Sequence, residues 1–345
     1  MIREEKRKGN SNAFSVLVGS LLLSPVLILT SCSSKEVVVV YSPHGPEMLG
    51  DAEKQFEAAY PGVDLQWLDM GSQEVYSRVS AERNRPVCDV WWGGPSTLFM
   101  KAADFGLLEP YKPTWAEAEA KEFRDPENRW YGTYRSPLAI MFNNRRYTKD
   151  TAPRTWDDLL LPQWHRKVTL RKPSASGTMR TFLGAMILRA PNEDAGVAWL
   201  KRLNDATESY PESPQFLFDH VKRNEDLVSV WLMADIVLQR ERNGYPFDGV
   251  IPPGTPVLTE GIAVIKGAPH PDWAKRFYEF VTSADALIRH SRAYAKMPAR
   301  TDMDPNALPA WMRESIDAMQ IDWPLFSKKE QEWCDRWERE VYQPR

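Results

Sequence analysis

The chain has 345 residues, of which 43% are hydrophobic, 11% aromatic and 26% charged. This apolar content excludes a disordered chain, and the length favours two domains over one. Lys and Arg number 44 against 47 Asp and Glu, so the formal net charge is −3. Because nucleic-acid binding proteins usually carry a basic surplus, we expect no nucleic-acid partner. Three cysteines are too few for a disulfide-stapled small fold, and their wide spacing without a CxxC pair disfavours a zinc cluster.

The N-terminal segment differs from the rest of the chain. Residues 9–34 carry no charged side chain, and the apolar stretch within them ends in Leu29-Thr30-Ser31-Cys32. An apolar residue and two small residues before a cysteine resemble the bacterial lipoprotein signal. We therefore expect residues 1–31 to be a signal peptide and Cys32 to be lipidated, which would tether the protein to a membrane. An uncleaved transmembrane helix is the alternative, against which Pro25 argues.

Strands and helices alternate in the first third of the mature chain. Residues 37–41 are a β-branched apolar run, typical of a buried parallel strand, and an amphipathic helix ending at Tyr60-Pro61-Gly62 follows them. Two further strands are predicted at residues 63–67 and 87–92, and a helix follows each of them. Ser72 is the predicted N-cap of the helix that follows the strand at 63–67. This order predicts a parallel sheet with helices on both faces.

The same alternation continues to the C-terminus. Residues 130–134 and 138–143 are predicted strands on either side of Arg135-Ser136-Pro137, a plausible crossing between domains. A final amphipathic helix is predicted at residues 328–342. The predicted strands of the first half end in turns rich in Gly and Ser. In open α/β sheets, ligands bind beyond the carboxyl ends of the strands, so we expect a ligand site at these turns. The other predicted elements are strands at 168–170, 227–232 and 262–265 and helices at 178–189, 234–243 and 273–282.

Several segments resemble the extracellular solute-binding proteins of bacterial ABC importers. They are the N-terminal cysteine motif, Val38-Val39-Val40-Tyr41-Ser42, residues 88–94 (CDVWWGG), 106–111 (GLLEPY), 155–159 (TWDDL), 176–178 (SGT) and 262–268 (IAVIKGA). The most similar branch binds ferric ion, aminoethylphosphonate or sugar phosphates. The resemblance implies an α/β, two-lobed fold of the type II periplasmic-binding-protein kind, each lobe a mainly parallel sheet with helices on both faces. It further implies lobe one at residues 36–135 plus 256–345, with the C-terminal helix packed on it, and lobe two at residues 136–255.

Hydroxyl-bearing helix starts are the candidate ligand contacts. In Ser176-Gly177-Thr178, glycine permits close approach of the backbone, and the helix that follows offers free N–H groups and a dipole to an anion. An ordinary N-cap is the alternative interpretation. Asp235 and Glu260 are placed where a carboxylate would meet an amine or hydroxyl of the ligand. The predicted ligand-binding residues are Ser42, His44, Gly45, Ser72, Gly94, Ser96, Ser176, Gly177, Thr178, Asp235 and Glu260.

Some of these side chains have more than one interpretation. His44 is a donor to an anion, an iron ligand or a solvent-facing turn residue, whereas the other four histidines are expected at the surface. Trp91 and Trp92 point to opposite faces of their strand, and either a ligand or the core could contact them. Iron binding in the resembled branch uses adjacent tyrosines, but the matching segment, residues 231–235, reads WLMAD. Pairing of Cys88 with Cys334 stays open.

The sequence therefore predicts a non-catalytic receptor that captures a small anionic solute, such as an organophosphate, a phosphonate or a sugar phosphate. Its expected partners are an ABC permease with its ATPase and, through the lipid, a membrane. We expect a periplasmic or extracytoplasmic monomer with no cofactor and no metal. The alternatives are a ferric-ion binder, a polyamine- or thiamine-type binder and a sensor for a membrane kinase. A hydrolase is disfavoured because no nucleophile elbow or metal-binding motif is found.

Overall fold

The computed structural model describes residues 35–211, 213–224 and 226–342. The predicted signal peptide (1–31) and the predicted lipidation site Cys32 lie outside these residues. In the described part, no helix has the length and apolar character needed to cross a membrane.

The strands are β1 (Glu36–Ser42), β2 (Val63–Asp69), β3 (Val90–Pro95), β4 (Leu108–Glu109), β5 (Tyr131–Asn143), β6 (Val168–Thr169), β7 (Thr207–Ser209), β8 (Val228–Leu232), β9 (Phe247–Val250), β10 (Val257–Ile265) and β11 (Met297–Pro298). The α-helices are α1 (Pro46–Ala59), α2 (Ser72–Ala81), α3 (Ser96–Asp104), α4 (Gly177–Arg189), α5 (Glu193–Ala206), α6 (Pro214–Arg223), α7 (Met233–Asn243), α8 (Pro271–Val281), α9 (Ala284–Tyr294) and α10 (Trp323–Glu340).

The strands form two groups that share β5. In the first group the order is β2-β1-β3-β10-β5, with β1 parallel to β2 and β3 and with β10 antiparallel to β3 and β5. In the second group β6 lies parallel to β7 and β8, and the last part of β5 pairs antiparallel with β8 and β9. The chain thus has the predicted two-lobed α/β architecture.

The described residues form three hydrophobic core clusters, two around the first group of strands and one around the second. We call lobe one the part built around β1, β2, β3 and helices α1, α3 and α8, whose core lies on both faces of the sheet. We call lobe two the part built around β8, the end of β5 and helices α4, α5 and α7. In lobe one, Trp92 packs edge-on against Phe277 on one face while Trp91 stacks on Phe99 on the other. Both indoles are wholly buried, so the idea that either one contacts a ligand is wrong.

Strand β5 crosses from lobe one to lobe two without a break. The sequence predicts two strands separated at Arg135-Ser136-Pro137, because proline cannot donate a ladder hydrogen bond. The structure accommodates Pro137 where β5 changes its partners: Pro137 is opposite Val257 of β10, and the next residue, Leu138, is opposite Leu232 of β8. A continuous β5 and the adjacent β10 therefore form the connection between the two lobes.

The C-terminal helix α10 packs differently from the expectation that it joins lobe one. Its side chains Phe326, Trp333 and Trp337 belong to the core of lobe two. On the lobe-one side, Ser327 Oγ donates to the Thr97 carbonyl at 3.2 Å, and Glu330 pairs with a lysine of α3. An amphipathic stripe specifies that a helix is half-buried but not which surface covers it. Helix α10 therefore bridges the two lobes.

Candidate ligand-binding cleft

A cavity of about 300 Å³ lies between lobe one and lobe two, beside strands β5 and β10. We call it the hinge chamber. Its walls come from both lobes and from the connecting strands, an arrangement that is common for small-molecule sites at lobe boundaries. It is lined by Pro43, His44, Met48, Ser72, Gly94, Pro95, Ser136, Gly177, Thr178, Leu232, Asp235, Leu238, Leu258, Glu260, Tyr294 and Lys296.

The first turns of four helices, α1, α2, α4 and α7, contribute to this lining. No side chain of the described residues caps the start of α1, α2 or α7. Helix α4 is capped, since Ser176 Oγ accepts from the Met179 N–H at 3.3 Å. The predicted cap Ser72 is instead the first helical residue of α2, after Gly71. Uncapped N–H groups and the positive ends of the helix dipoles make this wall suited to an anion.

Two glycines at the end of β3 allow the walls to approach each other. Gly93 and Gly94 have φ angles of 99° and 98°, which favour glycine. A Cβ on Gly93 would lie 2.6 Å from His44 Nε2, and one on Gly94 would lie 3.0 Å from Ser72 Oγ. Glycine at both positions is therefore needed for the imidazole and the hydroxyl to sit where they do.

His44 lies at the base of the hinge chamber with its side chain only 2% exposed. Its ring contacts Trp92 and Tyr134 edge-on, with centroids 4.8 and 5.6 Å away. Burial, with a smaller contribution from the Lys296 charge, lowers its pKa to about 3, so the imidazole is neutral at physiological pH. The interpretation as a solvent-facing turn residue is wrong. Because its Nε2 has no hydrogen-bond partner in the described residues, His44 keeps unused hydrogen-bonding capacity.

Glu260 and Lys296 form an ion pair in the chamber wall. Lys296 Nζ donates to Glu260 Oε1 and Oε2 at 3.0 and 2.9 Å, and Ser136 Oγ donates to Oε1 at 2.8 Å. Burial alone would raise the pKa of Glu260, but the adjacent ammonium and these hydrogen bonds hold it below its usual value. Glu260 is thus ionised and already neutralised by Lys296. The sequence did not single out Lys296, because an isolated lysine after a helix has no motif.

Asp235 lies half-buried in the first turn of α7 and lines the opposite wall of the hinge chamber. Its Oδ2 accepts a hydrogen bond from Trp231 Nε1 at 2.8 Å. Burial raises its pKa, although the Lys296 charge opposes this shift. With one carboxylate oxygen unused by the described residues, Asp235 can accept a hydrogen bond from a ligand.

The structure brings most of the predicted residues together and leaves some outside. Ser42, Gly45 and Ser96 do not line the chamber. Ser42 is wholly buried and its Oγ accepts from the His44 N–H at 3.2 Å, whereas the Gly45 N–H donates to Asp69 Oδ1 at 3.2 Å. These residues position the wall rather than face the cavity. Those that line it are His44, Ser72, Gly94, Gly177, Thr178, Asp235 and Glu260, while Ser176 lines a neighbouring cavity.

Two predictions about histidine and cysteine are resolved by the structure. His290 is buried, and its Nδ1 lies 2.7 Å from the Tyr134 hydroxyl, so the expectation of a surface position is wrong for this residue. Within the part of the chain that the structure describes, Cys88 and Cys334 are both buried and unpaired. Within the described residues, no group of three or more His, Cys, Asp or Glu side chains is placed to hold a metal ion.

Comparison with known proteins gives the class of protein that this fold and cleft define. Residues 89–322 match the family of bacterial extracellular solute-binding proteins, and the chain belongs to that family. The resemblance predicted from the sequence is therefore confirmed.

Individual relatives differ in the solutes that their names give. A probable ABC transporter periplasmic-binding protein of Sinorhizobium fredii is 27% identical and aligns with 89% of this chain and 87% of its own. "Iron uptake protein A1" of Synechocystis is 24% identical (79% and 80% covered), and the "Putative 2-aminoethylphosphonate-binding periplasmic protein" of Salmonella typhimurium is 27% identical (83% and 86% covered). The structure of AfuA from Actinobacillus pleuropneumoniae with fructose-6-phosphate superposes with a TM-score of 0.77 at 25% identity, covering 89% of this chain and 99% of AfuA.

Proposed function

We propose that this protein captures a small phosphate- or phosphonate-bearing solute in the hinge chamber and delivers it to an ABC permease and its ATPase. The observation that carries the proposal is the convergence of four helix N-termini on one cavity, three of them without a side-chain cap. The Ser72 and Thr178 hydroxyls add donors at the same wall. Such a wall binds an anion without a metal or a cofactor.

The carboxylates suit the remainder of such a solute. Among the described residues, one carboxylate oxygen of Asp235 has no hydrogen-bond partner, and the neutral His44 offers a ring nitrogen beside Glu260, with Nδ1 3.6 Å from Oε2. An amino or hydroxyl group bound here would form hydrogen bonds with this Asp235 oxygen and with His44 Nδ1. An aminoalkylphosphonate and a sugar phosphate both carry such a group. These are the kinds of compound in the name of the Salmonella typhimurium relative and in the AfuA complex.

The wider setting of this function is part of the same proposal. Lobe one at 36–135 and from 256 onward, and lobe two at 136–255, would close over the ligand by bending at β5 and β10, with α10 shared between them. The protein would act as a non-catalytic monomer outside the inner membrane, tethered by lipid at Cys32. A sensor for a membrane kinase would have the same cleft; genes for a permease and an ATPase next to the gene of this protein would distinguish the importer from the sensor.

Calorimetric titration with 2-aminoethylphosphonate, fructose-6-phosphate and inorganic phosphate tests this function. At least one of the first two should bind, and Ser72→Ala or Thr178→Val should each weaken it by about 1.5–3 kcal/mol, because a hydrogen bond to a charged group is lost. Ser77→Ala, on the exposed side of the same helix as Ser72, is the control and should bind like the parent. Unchanged affinity in both variants would show that the anion binds elsewhere.

Ferric ion is the second candidate, favoured by the iron-uptake relative. The tyrosine in the lining of the hinge chamber is Tyr294, whose hydroxyl donates to the Asp51 carboxylate and to the Glu47 carbonyl at 3.2 Å. Burial and this carboxylate raise its pKa well above 10, which disfavours an iron-binding phenolate. A visible tyrosinate-to-iron absorption band on addition of ferric citrate would reverse the preference for phosphate compounds.

A further inference from the structure

A second cavity of about 250 Å³ adjoins the hinge chamber. We call it the outer chamber. Ser72, Pro95 and Gly177 line both cavities, so these residues form the boundary between them. A Cβ on Gly177 would lie 3.8 Å from Pro95 Cγ, which shows that the two lobes meet at this boundary. The outer chamber is lined by Gly71, Ser72, Gln73, Pro95, Thr97, Leu98, Ser174, Ala175, Ser176, Gly177, Arg180, Thr181 and Glu330.

The boundary is where donors for a phosphate are concentrated. Helices α2 and α3 start there without side-chain caps, and α4 starts there at Gly177. A phosphate at this boundary would have one cavity on each side. A water molecule takes about 30 Å³, so each chamber has room for a substituent of several heavy atoms.

Most residues that line the outer chamber are polar or charged, and its charged side chains are held in place. Arg180 Nε donates to the Pro173 carbonyl at 3.0 Å, and Arg180 Nη1 donates to Gln331 Oε1 at 2.9 Å. Glu330 is buried and paired with Lys101 of α3. Such a lining suits a hydroxylated or charged substituent better than an apolar one.

The charges around the two chambers favour a singly charged phosphate. The two linings contain the cations Arg180 and Lys296 and the carboxylates Asp235, Glu260 and Glu330, the last of which is paired with Lys101. A phosphate monoester carries a charge of about −1.5 to −2 at pH 7, whereas a diester carries about −1. A cleft with so little positive side-chain charge is better matched to the monoanion.

We propose that the ligand is a phosphodiester whose phosphate sits between Ser72 and Gly177, with one polar substituent in the hinge chamber and the other in the outer chamber. This inference rests on the proposed function, since it assumes that the cleft binds a phosphate. It adds that two substituents, rather than one, are recognised.

Isothermal titration with glycerol 3-phosphate and with glycerophosphoglycerol compares the monoester with the corresponding diester. The diester should bind at least tenfold more tightly to the parent protein. Ala175→Trp places a bulky ring at the exposed rim of the outer chamber and should reduce the ratio of diester to monoester affinity at least tenfold. Gln73→Trp, on the opposite rim, is a second variant with the same expectation, and Ala58→Trp on an exposed part of α1 is the control.

The outcomes separate this inference from the proposed function. If the monoester binds as tightly as the diester, or if both tryptophan variants leave the affinity ratio unchanged, the outer chamber holds no part of the ligand and the inference is wrong. If neither compound binds and the phosphonate and sugar-phosphate titrations also fail, the proposed function itself is wrong.

Discussion

Two buried histidines give the cleft region a specific response to acid. The pKa values of His44 and His290 are both lowered to about 3, mainly by burial and then by nearby cations. In the unfolded chain a histidine takes up its proton near pH 6.5. Between pH 6.5 and 3 the unfolded state therefore binds more protons than the folded state, so the free energy of unfolding falls as the pH falls through this range.

His290→Gln tests this response at a residue that does not line the hinge chamber. Lowering the pH from 7 to 5 should cost about 2 kcal/mol of stability for each histidine that stays neutral when folded. The variant should lose about 2 kcal/mol less than the parent over this interval, because glutamine does not titrate and can accept the Tyr134 hydrogen bond. Urea unfolding at the two pH values measures the difference.

A matched control isolates the burial of His290. His165→Gln, at an exposed position, controls for the exchange of histidine for glutamine itself. Glu119 shifts stability in the opposite sense, since burial raises its pKa to about 9 and its contribution is lost as the pH rises from about 4.5. This contribution is the same in parent and variant and cancels in the comparison. An equal pH dependence in His290→Gln and the parent would contradict the prediction.

At the scale of single elements, local sequence patterns correctly predicted the strands and helix starts that depend mainly on neighbouring residues. The β-branched run at residues 37–41 and the Gly- and Ser-rich turns gave β1, β3 and the helix starts that line the cleft. Strand β5 was predicted as two strands because the acceptability of Pro137 depends on a change of partner strands, which no local pattern encodes. Lys296 was missed for the same reason, since it meets Glu260 only through tertiary structure.

The contact between α4 and α10 shows how tertiary packing overrides helix propensity. Gly184 lies inside α4, where alanine would ordinarily stabilise a helix by about 1 kcal/mol. A Cβ at this position would lie 2.7 Å from Phe326 Cζ and 3.0 Å from Trp333 Cε3, both on α10. Gly184→Ala should therefore destabilise the protein by about 1–3 kcal/mol through overpacking, as measured by urea unfolding.

Gly50 is the matched control for this substitution. It lies inside α1, and a Cβ there would have no heavy atom within 4 Å. Gly50→Ala should therefore stabilise the protein by about 0.5–1 kcal/mol. If both alanine variants change the free energy of unfolding in the same direction, the packing of α10 on α4 is looser than described.

For the whole molecule, three connections join the two lobes. Strands β5 and β10 run beside the hinge chamber, and α10 joins the core of lobe two while contacting α3 of lobe one. Opening the cleft must bend the two strands and also move α3 relative to α10 or α10 relative to lobe two. The Lys101–Glu330 pair and the Ser327–Thr97 hydrogen bond therefore favour the described arrangement of the lobes before any ligand binds.

Replacing the ion pair between α3 and α10 tests this coupling. Lys101→Met combined with Glu330→Gln removes both charges, so that no unpaired charge stays buried, and the free energy of unfolding should change by no more than about 1 kcal/mol. The ligand-free variant should populate more open forms and show a larger radius of gyration in small-angle scattering than the parent, whereas saturating ligand should bring the two together. Lys112→Met with Glu117→Gln, an exposed pair within lobe one, should leave the radius unchanged. An identical ligand-free radius in all three proteins would mean that β5 and β10 alone control the opening.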